Sequence, residues 1–407
     1  MLDVVRPFKA LRPVVKEAHA VAAPPYDVLN SDEARQKVAG RPNSFLHISK
    51  PEIDLPHNID PYAARVYEMG AENLARMIDD GVLIREKKAC YYAYKLSVGA
   101  HNQVGVALVA SVDYYDSNFI KKHEFTRPKK EDDRVRQIEA LDAQTGPVLL
   151  AHPKNSFLKT ILDQVIQTQP LYEVLSEDGV KHTVWCISEI NKVSGITSAF
   201  ESMSGLYIAD GHHRSAASSR VAKSRLGSDS AQYFLAVAFA ETDMRILDYN
   251  RVIKDLNGYD IPAVLEKISQ DFCIEKSTKQ VSPDQSRQFG MYLGGSWFKL
   301  DLKTDKVING GPVSHLDVSI LQSKVIKPIF EISDPRKDER IDFVGGIRGL
   351  SELEKRVNSG EMSIAFSLFP TAMAQLISVA NAGKVMPPKS TWFEPKLVDG
   401  LLSHVLD

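Results

Sequence analysis

The chain predicts a mixed α/β (α+β) fold, and three observations carry that expectation. Residues 206–209, Leu-Tyr-Ile-Ala, are a short apolar run; a helical stretch over 211–226 follows, and then a second, strongly β-like run over 232–240. Strand, turn, helix and strand in that order make a unit of α/β architecture. Upstream, residues 89–98 and 103–115 are rich in Tyr and Val around Gly99-Ala100-His101-Asn102, the composition of a β-hairpin. Around both lie stretches whose apolar residues recur at helical spacing.

In chain order, residues 62–85 read as an amphipathic helix, with Tyr62, Val66, Met69, Leu74, Met77 and Ile78 on one face and Gly81 offering a stop. The hairpin over 89–115 follows. A charged helix over 131–143 ends before Gly146-Pro147, and 148–151 is a short buried strand. Residues 156–168 are helical, 172–187 form a hairpin around Glu177-Asp178-Gly179, and a helix over 188–203 leads into the strand at 206–209. From Pro262 the pattern begins again: a helix to Phe272, paired strands through 289–302, helices over 315–325 and 349–358, and a strand over 362–369. A last helix, marked by Met373, Leu376, Ile377 and Ala380, ends at Gly383. A length of 407 residues suits two or three domains. The expected division is an N-terminal α/β segment, 1–115, a core over 116–260, and a C-terminal α/β segment over 261–407.

Composition excludes several classes. The 50 basic and 52 acidic side chains leave a net charge of −2, which argues against a nucleic-acid clamp. The cysteines, Cys90, Cys186 and Cys273, show no pair at metal-ligand or redox spacing, so a reducing, cytoplasmic setting is expected. The amino terminus carries Asp3, Arg6 and Lys9 before any leader-length apolar run, and no stretch is long enough to span a bilayer. Neither membrane nor nucleic acid is an expected partner; oligomeric state is left open.

Four segments hold residues suited to chemistry. In Asp210-Gly211-His212-His213-Arg214-Ser215 a buried strand delivers an acid to a helix start, where free amides and the helix dipole favour an anion. Gly211 allows close backbone approach and Arg214 can grip a phosphate bidentately. Asp210 is either an N-cap or a ligand of Mg²⁺, which takes one or two carboxylates plus phosphate oxygens. In Lys121-Lys122-His123-Glu124-Phe125-Thr126, Glu124 suits a base that takes a hydroxyl proton, although mixed charge runs are more often solvated faces. In the stretch 386–396, Lys389, Ser390 and Thr391 present donors between prolines, while Trp392 and Phe393 are equally suited to anchoring a tail. Ala22-Ala23-Pro24-Pro25-Tyr26-Asp27-Val28 fixes Tyr26 and Asp27 in direction and is best read as a rigid loop closing the fold.

Taken together, APPYDV, NSFLHI, KHEFT, DGHHR and MPPKSTWFEPK resemble, nearly end to end, a family long catalogued only as a conserved domain of unknown function. KHE, DGHHR and PKST also resemble, in the same order, segments of free L-serine kinases of the ParB/sulfiredoxin superfamily. That resemblance implies a ParB/sulfiredoxin-like nucleotide-binding core and phosphoryl transfer from ATP, before ADP, to free L-serine with Mg²⁺, giving O-phospho-L-serine. It implies Glu124 as the base, with Asp210 and His213 also catalytic and Asp210 on the metal. Gly211, His212, His213, Arg214 and Ser215 would lie on the phosphates, and His123, Thr126, Lys389, Ser390 and Thr391 would meet the substrate. Unlike the compact serine kinases, this chain has more than a hundred residues before the HE pair. The rival expectation is a ParB-like nucleotide-binding regulatory or DNA-associated module, against which stand the near-zero charge and the lack of a basic recognition helix after Arg214.

Overall fold

The structure, a computed structural model, describes residues 3–306 and 308–407. The fold is mixed α/β, in two compact units: one holds the chain up to Met244 and again Pro395–Asp407, the other Arg245–Glu394.

The first unit is built on a nine-stranded mixed sheet. Its strands are β1 (Val5–Arg6), β2 (Tyr91–Val98), β3 (His101–Ser111), β4 (Ile120–Lys121), β5 (Val148–His152), β6 (Tyr172–Leu175), β7 (Lys181–Ile187), β8 (Leu206–Asp210) and β9 (Tyr233–Ala240). They lie in the order β4-β8-β5-β9-β3-β2-β7-β6, with β1 added on β3. The pairs β8–β4 and β9–β5 are parallel and the others antiparallel. Central strands are apolar on both faces: successive residues Val148, Leu149, Leu150 and Ala151, and likewise Phe234, Leu235, Ala236 and Val237, are all buried. That double burial explains why β5, β8 and β9 show as continuous apolar runs rather than alternating ones. Gly105 in β3 is required by close packing, since a Cβ there would collide with the Ala238 carbonyl and lie 2.7 Å from the Phe239 ring.

The helices of this unit are α1 (Ala64–Asp79), α2 (Pro128–Leu141), α3 (Ser156–Val165), α4 (Ile190–Glu201) and α5 (His212–Ser224); α3, α4 and α5 share the core of the sheet, α2 packs on α5, and α1 packs on α2. The helix expected over 62–85 stops at Asp79: Gly81 takes a left-handed φ of 69°, and Leu83–Arg85 runs on as a strand paired with Leu11–Pro13. The hairpin's second arm likewise ends at Ser111, whose hydroxyl caps a short helix, Val112–Asp116.

The second unit centres on a six-stranded antiparallel sheet of β10 (Tyr249–Ile253), β11 (Phe272–Ser277), β12 (Gln288–Leu293), β13 (Ser296–Leu302), β14 (Ile341–Gly345) and β15 (Ile364–Leu368), in the order β11-β13-β12-β15-β10-β14. The helix expected over 315–325 is an α-helix only from Asp317 to Leu321; it passes through a π-helical turn, Gln322–Ile326, and resumes over Lys327–Phe330.

Cys186 pairs with Tyr92 on the β2–β7 ladder, and Cys90, which exchanges backbone hydrogen bonds with Phe8, donates its thiol to the Lys88 carbonyl at 3.5 Å. Among the described residues no helix is long and apolar enough to cross a membrane.

Candidate functional site

β8 carries the chain through the sheet to Asp210, and Gly211 turns it into α5 with φ 98° and ψ 27°. Only glycine suits this position. The backbone is left-handed, and a Cβ would lie 3.1 Å from Arg214 Nε and 3.3 Å from Val148 Cα. No side chain caps α5, so the amides of its first turn are free of an intrahelical partner, while the Ser215 amide already bonds the Gly211 carbonyl at 3.0 Å.

Asp210 is not the N-cap that one reading of the sequence allowed. Its Oδ1 accepts from the Gly211 amide at 3.0 Å, and its Oδ2 faces Lys396 Nζ at 3.2 Å and Arg214 Nη2 at 3.6 Å. Burial alone would push this carboxyl up, but Lys396 and Arg214 hold it well below the usual carboxylate range. Arg214 also donates from Nη1 to the Pro147 carbonyl, which aims the guanidinium across the strand-to-helix turn.

The parallel register Ile120↔Leu206 and Lys121↔Tyr207 runs the start of the 121–126 segment alongside β8. Hydrogen bonds hold the two segments together: the His123 amide donates to His212 Nε2 at 3.5 Å and the Arg127 amide to His213 Nε2 at 3.0 Å. His213 therefore accepts at Nε2 and carries its proton on Nδ1. The His123 and His212 rings meet edge to face at 4.5 Å. Both histidines are buried; burial pushes His123 down to about 4 and His212 well below its ordinary value, so both rings are neutral at pH 7. Both ring nitrogens of His123 are buried without a hydrogen-bond partner among the described residues. A buried polar atom left unpaired costs about 1–3 kcal/mol, so this ring is suited to a bound water or ligand atom.

Glu124 is exposed. Thr126 donates to Glu131 Oε2 at 2.9 Å, bracing the first turn of α2. Ser215 is fully buried and its hydroxyl is turned inward, to the carbonyls of Gly211 at 3.3 Å and His212 at 3.1 Å. Lys389, Ser390 and Thr391 belong to the second unit. There Lys389 has φ 55° and stands over the Tyr249 ring at 5.6 Å, and Ser390 Oγ donates to the Pro387 carbonyl at 2.6 Å.

Four residues given no role in the sequence reading belong to this site: Lys396, Tyr26, Arg134 and Asp399. Beside Arg214 lies a cavity of about 30 Å³ whose lining includes Tyr26, Arg134, Gly146 and Asp399. That volume holds about one water-sized group. Arg134 is stacked 3.8 Å from the Tyr26 ring centre and paired with Asp133 at 2.7 Å. Asp399 exchanges backbone hydrogen bonds with Ala23, which fastens the Ala22–Val28 loop to the C-terminal tail. Burial pushes the Asp399 carboxyl up to about 7 against the pull of Arg214. Pro24-Pro25 signalled a rigid loop; what that loop touches is set by contacts hundreds of residues away.

For Mg²⁺ the donor set is one carboxylate. Asp210 stays ionised and a third exposed, which fits an ion that keeps most of its waters and takes phosphate oxygens. Among the described residues no cluster of three His, Cys, Asp or Glu offers an all-protein cage.

No curated protein matches the chain. Among solved structures it is similar to a conserved hypothetical protein from Pyrococcus furiosus, at 15% identity and TM-score 0.34, covering 70% of this chain and 90% of that one. It is also similar to a mutant free serine kinase in complex with ADP, at 14% identity and TM-score 0.36, covering 70% and 87%. SbnI with a C-terminal truncation, from Staphylococcus aureus, matches at 14% identity and TM-score 0.36, covering 71% and 82%. Likeness at this level says nothing of the chain's chemistry. The model of one family, described as a protein of unknown function (DUF1015), matches residues 5–319, and the chain belongs to that family.

Proposed function

We propose that this protein binds the phosphates of a nucleotide at the N-terminus of α5 and transfers a phosphoryl group to the hydroxyl of a small molecule, free L-serine. The observation that carries the reading is the uncapped start of α5, where Gly211 opens the backbone, Arg214 and Lys396 supply positive charge, and the unpartnered His123 ring stands alongside. Free amides, helix dipole and guanidinium together suit a phosphate group.

In this reading Glu124, exposed and next to His123, orients the acceptor hydroxyl and takes its proton. Arg214 and neutral His213 steady the charge on the transferred group. His212 shapes the turn, and Ser215 contributes only by bracing it. His123 and Thr126, with Lys389, Ser390 and Thr391, are proposed substrate contacts. Asp210 would hold Mg²⁺, which when bound would offset the negative charge of the phosphates. ATP is the preferred donor and ADP the alternative.

Incubating the purified protein with Mg-ATP or Mg-ADP and L-serine is expected to yield O-phospho-L-serine. No turnover with either donor, across a panel of hydroxylated amino acids and polyols, contradicts the reading. Nucleotide binding without product would favour a regulatory module instead.

A further inference from the structure

A cavity of about 530 Å³ lies wholly within the second unit. Its size falls within the range of pockets that take small organic molecules, about 300–1,000 Å³. Ile308, Pro312, Val313 and Ala382 give it aliphatic walls. Two lysines line it, Lys324 and Lys384, and no carboxylate does. Lys324 shares the Asp271 carboxylate with Lys306, at 3.3 and 3.5 Å, while Lys384 is exposed and makes no ion pair among the described residues. The cavity therefore joins an apolar surface to positive charge that the wall itself does not offset.

The local backbone adds two observations. Ser323 and Lys324 come to the wall from the π-helical turn Gln322–Ile326, a rare helix form found frequently at functional sites. One turn earlier Ser319, also on the wall, has a buried hydroxyl with no hydrogen-bond partner among the described residues. Buried hydroxyls are ordinarily paired, and a single χ1 rotation carries a serine oxygen to a new staggered position where it can meet a ligand. The loop that carries Pro312 and Val313 is held in place, since Ser314 bonds the Gly311 carbonyl through its amide at 3.0 Å and its hydroxyl at 2.7 Å.

We propose that this cavity is a binding site for a medium-chain carboxylate, its alkyl body against the aliphatic walls and its head on Lys384 and Lys324, with the Ser319 hydroxyl as a further donor. Burial of the alkyl chain supplies the affinity, and the lysines supply the preference for an anion. A small polar anion lacks the body that the walls accept. A neutral alcohol of the same length lacks the charge.

The test titrates octanoate, 1-octanol and acetate into the full chain by calorimetry at low salt, and locates the site by hydrogen exchange. Octanoate should saturate one site and slow amide exchange over 308–324 and 382–384. Octanol should bind about fivefold or more weakly, the size of a partly solvated ion pair, and acetate should not saturate. Lys384 and Ala382 are both exposed, so variants there should keep the fold. Lys384→Glu should raise the octanoate dissociation constant about fivefold or more, and Ala382→Trp should block the cavity and abolish saturation. No saturable octanoate binding, equal affinity for octanol, unchanged affinity in either variant, or protection confined to other segments overturns the proposal.

Discussion

Gly211 bears the most constrained backbone of the site, and its replacement is the sharpest residue-scale test. Gly211→Ala must adopt φ near 98° and place a Cβ 3.1 Å from Arg214 Nε. The left-handed backbone alone costs roughly 1–2 kcal/mol. Chemical denaturation should show a loss of at least that size, and ADP affinity should fall with it because Arg214 is displaced; unchanged stability and affinity would mean the turn is more pliant than described. Glu124→Gln removes a base and leaves a similar shape, so turnover should drop about 10²–10⁴-fold with nucleotide affinity little changed. Product formation at the wild-type rate rules out the base assignment. DGHHR was legible because a glycine, two histidines and an arginine after an apolar run leave few packing explanations. Lys396, Arg134 and Asp399 were not, since each reaches the site through the fold rather than through local pattern.

At the scale of elements, β8 both completes the sheet and aims Asp210. Ile208 is fully buried in its middle. Ile208→Ala should cost about 2–5 kcal/mol in a denaturant titration, a range set by how far a core cavity collapses; a loss below about 1 kcal/mol would place Ile208 outside a packed core. The run from β8 through α5 to β9 was legible because apolar strands and a small-residue helix alternate with clear punctuation. Tyr249–Ile253 and Ile341–Gly345 escaped notice: the first contains Asn250 and Arg251, buried polar residues that break an apolar run, and the second has Asp342 on its exposed side. The 62–85 stretch failed for the opposite reason, because helical spacing continued in the letters past a glycine that ended the helix in space.

For the whole molecule, buried histidines set the acid limit of stability. Burial pushes His123, His182 and His404 each down to about 4. In the unfolded chain each titrates near 6.5, so between about 6.5 and 4 the unfolded state binds more protons and stability falls as pH drops. Asp399, raised to about 7, acts in the other direction over the same range, its contribution diminishing as pH rises. With these three histidines, and His152, His212 and His213 also pushed down by burial, set against Asp399 and the raised Asp317, the denaturation midpoint should be lower at pH 5 than at pH 7, and His182→Gln should make that fall shallower. A midpoint that rises on acidification contradicts the burial of these rings.

The central claim, that phosphates sit at the start of α5, is tested most directly by calorimetric titration of Mg-ADP into the wild type and Arg214→Gln, which keeps much of the side chain's length. A hydrogen bond to a charged group contributes roughly 1.5–3 kcal/mol, so the dissociation constant should rise about tenfold to a hundredfold in the variant. Equal affinity in the two proteins, or no binding by the wild type, would contradict the account.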